Sequence, residues 1–417
     1  MSGRREIFRL QALRLIFRSL RHRNYRYYFF GQSISLMGAW IQNVAMGWLV
    51  YRLTGSAMYL GIIAFAGQIP SLVVTPLAGV FTDWLNQRRT LIITQSMAML
   101  TTLTLAVLVL LDIATVVHLI AISIIAGVIN AFDNPFRHAF VLEIIGNRDD
   151  LPNAIALNSS LNNSARFIGP LIGGVLISLV GEGWCFLING ISYSAVVLSL
   201  LYIKVTKSVQ TSSQGSILRQ LTEGLQYSWS FKPIRYPLML IAICGLIGLP
   251  FQALLPAFAA NVLEGSATLL GTLIGSLGAG ALTGALFLAS RQKMQTLPAN
   301  IITAALLFSI ALGFFSQSHI VVLSMLTLFI TGFGMIVMFN ATNALLQGVA
   351  DSDKRGRVIS LYSLTFMGMP PLGNLMTGAL AEYIGVGITV LIMSVICLTA
   401  ILALRKQILA VKPLLEI

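Results

Sequence analysis

The chain has 417 residues, 56% hydrophobic and only 10% charged, with a formal net charge of +13 and a mean hydropathy of +0.84. Soluble domains carry roughly a quarter charged residues, so a water-soluble enzyme, a disordered chain and a disulfide-built scaffold are excluded and a polytopic membrane protein remains. Three cysteines, Cys185, Cys244 and Cys397, all lie inside apolar runs; they read as small core hydrophobes rather than as a disulfide frame or metal site.

Residues 1–26 form a basic arm. Arg14, Arg18 and Arg21 recur at three- and four-residue steps, with Leu10, Leu13, Ile16, Phe17 and Leu20 between them. This spacing predicts an amphipathic helix lying on an anionic leaflet. Twelve apolar runs follow, at about 27–51, 58–82, 90–111, 116–138, 155–180, 184–203, 236–260, 267–290, 298–316, 319–340, 357–381 and 385–404. Each is near the ~20 residues that a helix needs to cross hydrocarbon. They are continuous rather than alternating, so helices are predicted and not barrel strands. The longest polar interval, 204–235, separates a first six-helix bundle (27–203) from a second (236–404), and a tail spans 405–417. The predicted fold class is an all-α polytopic membrane protein of twelve transmembrane helices in two pseudo-symmetric halves.

With the N-terminus in the cytoplasm, every lysine and arginine except Arg52 and Arg166 falls on the cytoplasmic side. That asymmetry is the positive-inside rule, and it predicts a multi-pass membrane protein with both termini cytoplasmic. The positive charge is thereby explained without nucleic acid.

The halves resemble each other. Leu157–Gly181 and Leu361–Gly385 align at an offset of 204, which superposes Gly169 on Gly373, Gly174 on Gly378 and Gly181 on Gly385. Thr54-Gly55-Ser56-Ala57 with Gly61 pairs in the same way with Glu264-Gly265-Ser266-Ala267 and Gly271. A duplicated six-helix unit is the plan of a secondary transporter whose halves rock about a central site.

Charge inside a span costs roughly 2.5–3.5 kcal/mol on insertion scales, so ionisable residues there mark function. Asp133 and Arg137 stand i,i+4 in span four and Arg166 lies in span five. Spans four and five are sequential, so the three are expected to meet and to carry coupled protons. The remaining in-span polar groups are mostly neutral. Gln32, Trp40, Gln42, Asn43, Gln252, Asn340, Asn343, Tyr362 and Asn374 are the candidate lining of a cavity for an amphipathic solute. No lysine follows a glycine and no histidine opens His-Glu-x-x-His. A P-loop pump and a zinc hydrolase are therefore disfavoured, and no enzyme activity, metal or cofactor is expected.

Three segments carry a family resemblance. The hairpin Gly79-Val-Phe-Thr-Asp83-Trp84-Leu-Asn86-Gln87-Arg88-Arg89 is similar to the loop 2–3 motif of the major facilitator superfamily, with Trp84 and Asn86 departing from it. Asp133-Asn134-Pro135-Phe136-Arg137 with Leu151–Ser160, and Arg166-Phe-Ile-Gly169-Pro170-Leu-Ile-Gly173-Gly174, resemble the branch containing the enterobactin exporter and related drug and siderophore exporters. The resemblance implies alternating-access export of a small molecule by proton antiport across the inner (plasma) membrane of a bacterium, acting as a monomer. It assigns gating to Asp83, Arg88, Arg89 and Arg357, and it makes Gly169, Pro170, Gly173 and Gly174 an antiporter-like motif that lacks the usual upstream glycines. Import of a small solute is the alternative, followed by lipid transport or scrambling.

Overall fold

The computed structural model describes residues 17–145, 148–203, 225–290 and 294–411, without the side chains of residues 76, 77, 79, 80, 83 and 148. Among these residues it is all-helical. The first half comprises α1 (Arg23–Thr54), α2 (Ala57–Trp84), α3 (Gln87–Leu110), α4 (Val116–Ile145), α5 (Leu151–Val180) and α6 (Glu182–Tyr202). The second comprises α7 (Lys232–Asn261), α8 (Ala267–Ala289), α9 (Leu297–Ser316), α10 (Val321–Val349), α11 (Arg355–Ile384) and α12 (Val386–Leu409). The duplication is visible in the backbone. Gly181 and Gly385 both end their helices at φ +85°, a conformation that side chains with a Cβ rarely adopt.

Ten of the twelve helices are long and apolar enough to cross a membrane by length and composition; α1 and α11 are not. Their polar content is the reason: Gln32, Gln42, Asn43 and Arg52 lie in α1, and Arg355, Arg357, Asn374 and Glu382 in α11. Several helices also outrun their apolar cores. The α10 helix continues to Val349, nine residues past the predicted end, and α1 and α7 begin at Arg23 and Lys232 rather than 27 and 236. Hydropathy marks the hydrocarbon-buried stretch, whereas the helix runs on while its backbone bonds are satisfied.

Neighbours in space are not neighbours in sequence. In the first half the order of packing is α2, α4, α3, α6, α1, α5; in the second it is α8, α10, α9, α12, α7, α11. The halves meet along α2 against α11 and α5 against α8. In lipid the hydrophobic effect does not draw helices together, so close backbone approach at small residues has to do so. Within α7 a π turn at Cys244–Gly248 precedes Pro250. Leu249 N–H reaches back to Cys244 O at 2.9 Å, which bends the helix.

The arm departs from expectation where it is described. Residues 1–16 of the predicted amphipathic helix lie outside the described residues, and Arg18–Arg21 is a single 3₁₀ turn docked on protein. Ser19 Oγ donates to Asn153 Oδ1 (2.8 Å), His22 Nε2 bonds Asp150 Oδ2 (2.8 Å), and Arg18 pairs with the same carboxylate. The His22 bond and the Arg18 charge hold the Asp150 carboxyl below the usual carboxylate range. Its share of stability is thus present at neutral pH and fades only as pH falls through that lowered value. Of the linker, residues 204–224 lie outside the described residues; its last turn anchors Tyr227 OH on Asp351 Oδ2 at 3.0 Å.

Candidate functional site

A cavity of about 590 Å³ lies between the halves, within the range of small-molecule sites. Of the nine expected lining residues, Trp40, Gln42, Asn43, Gln252 and Asn374 face it, and among the described residues no charged side chain lines it. Four do not. Gln32 is buried in the first half and accepts from Arg137 Nη1 (2.5 Å). Tyr362 donates to Phe339 O at 3.0 Å and packs α11 on α10. Asn340 and Asn343 line a separate shallow pocket with Gln347 and Arg355.

Sequence reasoning missed Gln68, Asn130, Asn189 and Tyr193, which also line the cavity. Asn189 Nδ2 donates to Gln42 Oε1 (2.5 Å), and Asn374 Nδ2 approaches Gln68 Oε1 at 3.5 Å across the two halves. Each amide offers two donors and a two-lone-pair acceptor, so these contacts leave hydrogen-bonding capacity for a solute. The wall is therefore adaptable, polar and neutral.

The halves are sealed at the end carrying the α1–α2 and α7–α8 turns. A Cβ at Gly378 would stand 2.9 Å from Gly61 Cα, and one at Gly174 would stand 2.9 Å from Gly271 Cα. The two crossings are related by the internal duplication: Gly61 corresponds to Gly271 and Gly174 to Gly378. The glycines of the stretch from Gly169 to Gly174 thus pack on two faces of α5. A Cβ at Gly169 would meet Trp40 Cβ at 2.5 Å and one at Gly173 would meet Ile41 Cα at 3.2 Å, both on α1, whereas Gly174 meets α8.

Beyond the glycines the symmetry breaks. Glu382 Oε2 accepts from Ser56 Oγ (2.8 Å) and Met58 N (3.2 Å), so a carboxylate of the second half caps the N-terminus of α2. The equivalent place in the other crossing holds the neutral pair Ser178 Oγ and Thr268 Oγ1, 2.7 Å apart. An anion at a helix N-terminus contributes up to about 1 kcal/mol where exposed. Glu382→Gln, which keeps an acceptor and loses the charge, is expected to open the seal about fivefold more often. A membrane-impermeant maleimide reacting with a Gln68→Cys reporter reads this directly, and an unchanged rate means that Glu382 does not hold the seal.

The ionisable residues separate into two sites. Asp133 is buried, and its Oδ1 accepts from Thr94 Oγ1 (2.8 Å) and Gln95 Nε2 (2.7 Å) of α3. Its Oδ2 accepts from Arg137 Nε at 2.9 Å and also from Nη2. Arg166 does not join them, contrary to the expectation drawn from sequential spans. The α4 helix packs along α2 and α3 while α5 packs along α1 and α8. Arg166 instead lies over the Trp40 ring, 5.4 Å from its centroid.

Of the four residues expected to gate, Arg88, Arg89 and Arg357 have described side chains. The side chain of Asp83 lies outside the described residues. Arg88 stays within the first half, donating from Nε to Leu200 O (2.6 Å) and from Nη2 to Leu201 O (2.8 Å). It thereby satisfies the orphan carbonyls at the C-terminus of α6. Arg89 is exposed, its N–H capped by Asn86 Oδ1 (2.9 Å), and Arg357 is half-buried in the first turn of α11. Arg52, the outlier of the charge asymmetry, pairs with Glu182 at 2.8 Å between the ends of α1 and α6.

The same architecture recurs in known proteins. The nucleoside transporter NupG superposes with a TM-score of 0.72 at 13% identity, over 92% of this chain and 98% of its own. The chain is similar to the staphyloferrin A transporter of Staphylococcus aureus, with 28% identity over 90% of this chain and 94% of the relative. It is also similar to the multidrug efflux pump Tap of Mycolicibacterium fortuitum, with 27% identity over 86% and 89% respectively. These relatives are transporters, not enzymes. Residues 16–413 match the family described as transmembrane secretion effectors, and the chain belongs to that family of major facilitator transporters.

Proposed function

We propose that this transporter exports a small amphipathic molecule, siderophore or drug-like, from the cytoplasm across a bacterial inner membrane in exchange for protons, working as a monomer. The observation that carries the reading is the neutral, amide- and aromatic-lined cavity at the seam between two halves sealed by duplicated glycine crossings. Rocking about such a seam exposes the cavity to each side in turn. The named relatives, a siderophore transporter and a multidrug efflux pump, support the substrate class.

Proton coupling is assigned to the Asp133 network. All its members sit in one half, on α1, α3 and α4, so rigid rocking does not part them. The network nevertheless holds what a protonated Asp133 requires. Gln95 Oε1 is a buried acceptor without a partner, beside the Nε2 that donates to the carboxylate. An amide flip would let it accept the new O–H, while Arg137 keeps Gln32 Oε1 as a second acceptor. Asp133 can therefore exchange a proton without stranding Arg137.

Purified protein in vesicles holding a pH-sensitive dye tests direction and coupling together. Export coupling predicts that solute efflux and proton influx occur in fixed ratio. Uptake of solute with protons would replace this reading by import. Orientation is checked separately: reporter fusions after Ile113 and Gly265 should read periplasmic and one after Ser213 cytoplasmic, and any reversal refutes the topology.

A further inference from the structure

Arg166 lies near the midpoint of α5 (Leu151–Val180), about 21 Å from either end at 1.5 Å per residue. The turns before it carry Asn158, Ser159, Ser160, Asn162, Asn163 and Ser164, and the Arg166 side chain is partly exposed. Cations inside a spanning helix are normally paired, and among the described residues Arg166 is not. Its described contact is the Trp40 ring at 5.4 Å, and no carboxylate of the described residues pairs with it. Asp133 is already taken by Thr94, Gln95 and Arg137.

Its position is equally specific. Trp40 lines the cavity, and Arg166, which does not itself line it, lies over the Trp40 ring. The backbone of Arg166 is at the seam itself: a Cβ at Gly278 of α8 would stand 2.7 Å from Arg166 O. An unanswered cation therefore sits beside a cavity that supplies no charge of its own, where the halves slide past each other. A planar guanidinium backed by an aromatic ring presents a fork of donors matched to an oxyanion.

We infer that Arg166 is the anion-binding group of the transport site, and that the solute presents a carboxylate or similar oxyanion to it while its uncharged body fills the cavity. This rests on the transport reading above and narrows it: a purely cationic solute is repelled at this point, whereas an anionic one supplies the missing counter-charge.

The full chain in lipid nanodiscs is titrated with a dansyl-labelled citrate amide and with its methyl ester, which share a body and differ in charge. Wild type is expected to bind the free acid at least about tenfold more tightly than the ester. Arg166→Gln should erase that preference while leaving ester affinity unchanged, which also reports that the variant is folded; Arg166→Lys should keep part of it. Equal affinity of wild type for acid and ester, binding of neither, or a preference that survives Arg166→Gln overturns the assignment. The same probes in proteoliposomes separate the two readings. Acid-selective binding with no movement of either probe sinks transport and leaves the anion site standing. Movement of the ester alone sinks the anion site and leaves transport.

Discussion

Gly174→Leu is expected to reduce transport below detection in a protein that is still folded and membrane-inserted. A Cβ at this position would stand 2.6 Å from Ala267 O and 2.9 Å from Gly271 Cα, both backbone atoms of α8 that cannot swing aside. Relief requires α5 and α8 to part, and their contact is half of the seal above the cavity. Overpacking of this kind costs about 1–3 kcal/mol, with leucine at the upper end. A shift of that size depopulates the sealed state by up to roughly 150-fold, and the proposed alternating-access cycle passes through that state once per turn. Gly174→Ala adds a single carbon and is expected to slow transport about tenfold. Loss of the helix is not the cause, since both substitutions raise helix propensity. A Ser178→Cys, Thr268→Cys pair, placed where the hydroxyls now lie 2.7 Å apart, should cross-link readily in the parent and poorly beside Gly174→Leu. Wild-type transport by the leucine variant would mean that the seal is not part of the cycle.

Gly174 was legible because the duplication repeats it. The offset that superposes Gly174 on Gly378, and the separate alignment of Gly61 with Gly271, pick out the four glycines at which the halves cross. Side-chain direction was less legible. Gln32 and Gln42 both read as polar residues of one apolar span. They are ten residues apart, however, and at 3.6 residues per turn they point about 80° away from each other. One meets Arg137 and the other the cavity. The separation of Arg166 from Asp133 was not legible at all, because chain order carries no packing order: α4 and α5 adjoin in sequence but serve different neighbours. Glu382 escaped notice for another reason. Its targets are a backbone N–H and a serine on the opposite half, and a lone acid at a helix end reads as solvated.

Asp133→Asn is expected to abolish uphill export while leaving substrate binding within a few-fold. The asparagine keeps the shape, an acceptor for Arg137 and contact with Thr94 and Gln95, but it cannot gain or lose a proton. Two consequences compete. Removing one charge of a buried pair destabilises by about 3–5 kcal/mol when the other is left without an acceptor. Here Gln32 Oε1, already 2.5 Å from Arg137 Nη1, softens that loss. The protein should therefore survive with a lowered melting temperature, and the deficit should lie in coupling. Counterflow in vesicles without a pH gradient isolates this: exchange of labelled for unlabelled solute continues in the variant, while proton movement detected by the internal dye ceases. A purely structural role gives the opposite pattern, with fewer folded molecules each moving protons and solute in the parental ratio. Proton movement that persists in Asp133→Asn at that ratio places the coupling group elsewhere. The first half would then use its buried ion pair only to fix α4 against α1 and α3.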